Sequence, residues 1–180
     1  TIPAKPSYTV SYNANGGSGA PSSQTKWYGA SLTLSSTKPT RTGYSFQGWG
    51  TSASDTSVDY AAGASYTANA AVTLYAIWKA DTYTVTYNAN GGTGAPGNQT
   101  KTYGVTLKLS TTKPTRTNYT FLGWATSASA TTATYSAGGS YTANAKVTLY
   151  AVWKLAYTKP KISNLSATRC DSSGALTDNG

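Results

Sequence analysis

The sequence has no histidine, no glutamate and no methionine, and a single cysteine, Cys170. Without histidine, neither a Ser-His-Asp nor a Cys-His constellation can be assembled, and the commonest zinc ligand is missing. The side-chain carboxylates are five aspartates. Asp55 and Asp59 are the one close pair in sequence, and a glycosidase-type pair would have to come from them. One cysteine excludes an internal disulfide, and Cys170 reads as an idle or buried thiol. No apolar stretch approaches the roughly 18 residues of a membrane span. The chain begins at Thr1 with no visible signal peptide, and reads as a mature or excised fragment. This inventory predicts a protein that is not an enzyme and holds neither metal nor cofactor.

What is present is aromatic and small: 15 Tyr, 5 Trp and 2 Phe, set among Thr, Ser, Ala and 18 Gly. Tyr, Trp and Thr suit a pleated, half-buried surface, while the usual surface helix formers are scarce. Composition therefore points to β structure. The net charge is +9, from 14 Lys plus Arg against five Asp. The basic residues stand singly rather than in runs, which reads as a solvated surface. Nucleic-acid binding lacks its basic cluster interleaved with stacking rings.

The main signal is a repeat. YTVSYNANGGSGAP starts at Tyr8 and YTVTYNANGGTGAP at Tyr83, an offset of 75 residues. The same offset carries Lys38-Pro39-Thr40-Arg41-Thr42 to Lys113-Pro114-Thr115-Arg116-Thr117, and Leu74-Tyr75-Ala76 to Leu149-Tyr150-Ala151. Residues 8–79 and 83–154 form the two modules. Residues 1–7 lead in, 80–82 link, and 155–180 begin a linker or following domain. Three linking residues span only about 10 Å, so the modules should sit close and in a restricted orientation.

Within a module, Tyr8, Val10 and Tyr12 alternate on one face of a strand. Asn15-Gly16-Gly17 is turn chemistry. The GGSGAP and GGTGAP stretches are turns rather than phosphate loops, since no Gly-Lys-Ser/Thr follows. Val72 to Trp78 is the strongest strand, with Val72, Leu74, Ala76 and Trp78 inward. Only Tyr66 to Ala70 could make a helical turn. The expected core is Tyr12, Phe46, Trp49, Leu74 and Trp78 in the first module, and Tyr87, Phe121, Trp124, Leu149 and Trp153 in the second. Asp55 and Asp59 have Ala130 and Thr134 as their repeat partners, so they read as surface-loop residues. Trp27 stands apart, because Thr102 takes its place in the second copy. The core does not demand an indole there, so Trp27 should be at least partly exposed or cover a junction with a neighbour. It is the candidate contact for a partner protein or a glycan.

The linked elements PTRTGYSFQGW from Pro39, PTRTNYTFLGW from Pro114, TLYAIW from Thr73 and TLYAVW from Thr148 resemble the Listeria–Bacteroides repeat, the B-repeat of internalin B and of many bacterial surface proteins. The resemblance implies tandem β-grasp (ubiquitin-like) modules with little helix and no catalytic activity. Asn118 departs from the family glycine that Gly43 keeps, which is tolerable because Asn also visits the left-handed region. Further on, Lys161 to Ala167 reads as a strand opening a new domain. PKISNLSATRCDSSG from Pro160 resembles a domain of tail-associated structural proteins of phages of Gram-positive bacteria. Two functions stand as expectations. One is an extracellular structural or adhesive spacer on a bacterial surface or phage tail, whose partners are its neighbouring domains and surface proteins. The other is a module that binds glycans or wall polymers. A self-formed Lys–Asn isopeptide is disfavoured, since the second copy holds no acid.

Overall fold

A computed structural model describes residues 3–156 and two short paired strands at 169–170 and 176–177. The first module contains β1 (Ser7–Asn13), β2 (Gln24–Trp27), β3 (Leu32–Thr33), β4 (Tyr44–Gly50), β5 (Ser65–Tyr66) and β6 (Val72–Ala80). The second repeats them as β7 (Thr82–Asn88), β8 (Gln99–Thr102), β9 (Leu107–Lys108), β10 (Tyr119–Ala125), β11 (Ser140–Tyr141) and β12 (Val147–Leu155). The last pair is β13 (Arg169–Cys170) and β14 (Leu176–Thr177). The strand expected over Lys161 to Ala167 lies outside the described residues.

Each module is a four-stranded sheet with a two-stranded piece beside it. The order is β2-β1-β6-β4 in the first and β8-β7-β12-β10 in the second. The central pair is parallel, Val10 facing Val72 and Val85 facing Val147, and the outer pairs are antiparallel. Among the described residues there is no helix. Tyr66, at the start of the stretch expected to offer a helical turn, ends β5 instead. Its hydroxyl donates to Ala70 O at 3.0 Å.

The core forms where the small sheet covers the large one. Val10, Trp49, Leu74 and Ala76 come from the large sheet, and Leu34 and Tyr66 from the segments around the small one. The second module repeats this with Val85, Tyr87, Leu109, Trp124, Tyr141, Leu149 and Ala151. Trp49 and Trp124 are fully buried. Around Trp49, Tyr12 stands at 4.9 Å and Phe46 at 5.0 Å in edge-to-face contact. Such pairs contribute about 0.5–1.5 kcal/mol beyond the area they bury. In a module of this size, that compensates for the small number of aliphatic residues.

The core differs from the sequence expectation in one respect. Trp49, Leu74, Tyr87, Trp124 and Leu149 are buried. Tyr12, Phe46, Trp78, Phe121 and Trp153 are half-buried and pack against the core from its edge. The reason is coverage: a two-stranded sheet cannot roof a four-stranded one. The exposed edges of Phe46 and Trp78 line an open groove. Polar neighbours also hold the Trp78 ring at the rim. The Trp78 indole N–H donates to Ala14 O and Asn15 O, which pins the Asn-Gly-Gly loop.

A bulge sets which residues face inward. Phe46 pairs with Trp78 but Gly48 pairs with Ile77, so Gln47 is an extra residue. The insertion flips the alternation, and Phe46 and Trp49 both reach the core although three residues apart. Gly48 sits at φ 153°, and a Cβ there would lie 2.9 Å from Tyr60 O.

Candidate functional site

Three features of the described residues bear on function: the end of the module around Trp27, the junction between modules, and a pair of buried lysines.

Trp27 ends β2 and Tyr28 follows it, and both are about half exposed, at 52% and 51%. The equivalent pair, Thr102 and Tyr103, is more covered. The difference comes from what lies next to each. Tyr28 N donates to Pro6 O at 2.9 Å, and Tyr103 N donates to Asp81 O at 2.8 Å. Pro6 belongs to the lead-in, whereas Asp81 belongs to the junction.

At the junction, β6 and β7 form one ribbon with only Asp81 between them. Of residues 80–82, Ala80 and Thr82 lie in strands. Asp81 N donates to Gly43 O at 3.0 Å, just before β4, while Asp81 O accepts from Tyr103 N, just after β8. In an extended chain, the N–H and C=O of one residue point to the same side. β4 and β8 therefore meet end to end along one edge of the ribbon, and the Tyr103 ring lies on Gly43. A Cβ on Gly43 would fall 2.3 Å from three atoms of that ring. Tyr103 also packs on Tyr44 at 5.7 Å, and Arg41 covers the Tyr44 ring at 4.0 Å. Ser45 Oγ donates to the Asp81 carboxylate at 2.7 Å. Across Asp81 the core-facing residues change from Leu74 and Ala76 to Val85 and Tyr87. Since alternate residues face opposite sides, the second core packs on the other face of the ribbon.

Beside the junction, Gly16, Gly17, Lys38, Arg41, Phe46 and Trp78 help line an open groove of about 940 Å³. Its counterpart near Arg116 measures about 340 Å³.

Lys26 and Lys101 are buried, at 0% and 1% exposure. Lys26 Nζ donates to Trp27 O at 2.9 Å and Asn69 Oδ1 at 3.0 Å. Lys101 Nζ donates to Thr102 O at 2.7 Å and Asn144 Oδ1 at 2.8 Å. Each asparagine oxygen also accepts a backbone N–H, from Gly29 or Gly104. The lysine thus ties the end of β2 or β8 to the approach to the last strand of its module. Sequence reasoning missed this pair. The signal was the survival of both residues at the 75-residue offset, while the adjoining Trp27 became Thr102 and Ala71 became Lys146.

The tyrosine hydroxyls at the other rim form a matched network. Tyr12 Oη donates to Gln24 Oε1, and Ser35 N donates to both oxygens at 3.0 Å. Tyr87, Gln99 and Ser110 repeat it. Burial pushes the Tyr12 and Tyr87 hydroxyls above their usual pKa, and the Ser35 or Ser110 N–H partly offsets this. Tyr66 and Tyr141 are raised by burial and by their neighbours Tyr60 and Tyr135. Asp55 Oδ2 accepts from Ser52 N, and Asp59 Oδ2 from Thr51 N and Oγ1, so both carboxylates tie local turns. Among the described residues, no three of His, Cys, Asp and Glu come together. Nor, among the described residues, is any helix long and apolar enough to cross a membrane.

Two copies of a small all-β module on one ribbon define a tandem β repeat. The chain belongs to the Listeria-Bacteroides repeat domain family, which matches residues 8–77 and 83–152. The family is a tandem repeat of extracellular type and is generally non-catalytic. Two proteins of Evansella cellulosilytica are similar. One, named "Putative membrane protein", is 34% identical over 122 residues, covering 65% of this chain and 17% of its own length. The other, named "Putative Gly-rich membrane protein", is 33% identical over 122 residues, covering 65% of this chain and 13% of its own length. The chain thus spans less than a fifth of either relative. No solved structure matches.

Proposed function

We propose that the pair is a non-catalytic extracellular spacer, which sets the distance and direction between neighbouring domains of a longer bacterial-surface or phage tail-associated protein. The observation that carries this reading is the junction. The modules share a ribbon from Val72 to Asn88, and Asp81 hydrogen-bonds to both of them. A connection with backbone bonds and ring packing resists bending, as a flexible tether does not. The relatives named as membrane proteins, each several times longer than this chain, fit a module repeated within a large surface protein. The test is weak alignment in solution. Residual dipolar couplings from both modules should fit one alignment tensor, and two independent tensors would refute the spacer.

A second reading, binding of a glycan or wall polymer, is favoured by Trp27 and Tyr28 exposed together at one end. Rings so placed can stack on a sugar. Retention on cell-wall glycans that is lost in Trp27→Thr would support it, and equal retention by the variant would remove it.

A further inference from the structure

The position that Asp81 fills at the junction occurs three times at the 75-residue offset, as Pro6, Asp81 and Ala156. The glycine under Tyr103 has one counterpart, Asn118, and the two share a backbone conformation, with φ 74° at Gly43 and 64° at Asn118. Ala156 N donates to Asn118 O at 2.8 Å, as Asp81 N does to Gly43 O. The backbone at the far end of the second module is therefore laid out like the junction. The side chain differs. An Asn Cβ would stand where the junction places the tyrosine ring, because the Cβ built on Gly43 meets Tyr103 at 2.3 Å. At the near end of the first module, Tyr28 N already bonds Pro6 O, but Pro6 has no N–H to give to a preceding glycine carbonyl.

We infer that Gly43, Asp81 and Tyr103 are the specificity residues of a module–module interface, and that Pro6 and Asn118 close the two outer ends of the pair to a further module in the same pose. The partner this interface accepts is a following repeat whose tyrosine can lie flat on a glycine, joined through a residue that has an N–H. In a repeat array each copy meets its neighbours head to tail, and the terminal copies are atypical. Here both stops are single residues. The closed unit is two modules, and any domain beyond either end meets it through a looser joint. This inference rests on the junction's geometry and holds whether or not the pair serves as a spacer.

The test copies the closed end onto the junction in the full chain. Gly43→Asn places in module 1 the residue that module 2 already accommodates in the same turn, so the module should keep its fold, as its own amide shifts would verify. The single alignment tensor of the wild-type chain should split into two, and the rotational correlation times of the modules should separate and fall. Tyr103→Ala should do the same from the other side. Asn118→Gly should leave the inter-module alignment unchanged. A Gly43→Asn chain that keeps one tensor overturns the inference. So does an Asn118→Gly chain whose junction changes, because position 118 would then act within its own module. A wild-type chain that already shows two tensors overturns both this inference and the spacer, whereas a rigid wild type with a rigid variant overturns this inference alone.

Discussion

Lys101→Met sets two large terms against each other. Wild-type Lys101 is 1% exposed, and among the described residues its ammonium has no carboxylate hydrogen-bond partner. Desolvation of a buried charge costs several kcal/mol, which on its own would make methionine the more stable residue. Against it stand two charge-assisted hydrogen bonds, at 2.7 and 2.8 Å, a class that contributes about 1.5–3 kcal/mol each. The two acceptors are not stranded by the change. Thr102 O keeps the Val105 N–H, and Asn144 Oδ1 keeps the Gly104 N–H. Methionine also retains most of the buried stem. The net loss should therefore be small, about 1–2 kcal/mol, or roughly 4–16 °C in the melting temperature of a module this size. Lys101→Ala should cost about 2 kcal/mol more, from lost methylene burial. Asn144→Ala should cost more than Lys101→Met, because it leaves the charge buried with one oxygen fewer. In the double variant Lys101→Met/Asn144→Ala, the loss should be less than the sum. Urea unfolding of the full chain, with the modules resolved by their own NMR signals, reads all four. Lys26→Met and Asn69→Ala should give the same ordering in the first module. A Lys101→Met protein as stable as the wild type or more so would refute the reasoning, since desolvation would then outweigh the two bonds.

Trp124→Ala should lose about 3–5 kcal/mol, as expected for emptying a buried aromatic site, and thermal unfolding of the second module would read it. Trp27→Thr should leave the melting temperature almost unchanged, because Thr102 fills that place in the second module; a sharp fall would make Trp27 structural. Stability should decline at alkaline pH. The folded state raises the hydroxyls of Tyr12, Tyr66, Tyr87 and Tyr141 above 10.0, so their stabilisation is full below that value and is lost as pH rises through the folded pKa. A melting temperature constant from pH 8 to 12 would contradict this. The intact mass should show no loss of ammonia, because Lys26 and Lys101 donate to asparagine with no carboxyl among their described bonding partners to carry a proton; the loss of one ammonia per module would reveal a covalent Lys–Asn bond instead.

The strands were legible because they repeat twice over, by alternation at Tyr8, Val10 and Tyr12 and by the 75-residue offset. The exposure of Trp27 was legible by the same means, since its copy is Thr102. The bulge was not. Gly48 looks like any strand glycine until Gln47 is seen to have no partner, and a strict period of two would separate Phe46 from Trp49. The half-burial of Trp78 was hidden for a related reason: the rim of a core depends on how much the second sheet covers, and β3 and β5 are two residues each. Lys26 was unreadable by type, because a lone lysine is by default a surface residue. Its partner Asn69 lies 43 residues away.

The parallel pairing of β1 with β6 has a mechanical consequence. The chain enters the module along β1 and leaves along β6, and these neighbouring strands run the same way, Val10 to Asn13 beside Val72 to Tyr75. Tension on the two ends pulls them in opposite directions along their length, so the hydrogen bonds between them are loaded together in shear rather than peeled one at a time. β7 and β12 repeat the arrangement, Val85 to Asn88 beside Val147 to Tyr150. Because β6 passes into β7 through Asp81 alone, load leaving one shear clamp enters the next with almost no slack to take up. Each module should yield in a single abrupt step when stretched, at a force set by its unfolding rate rather than by its equilibrium stability.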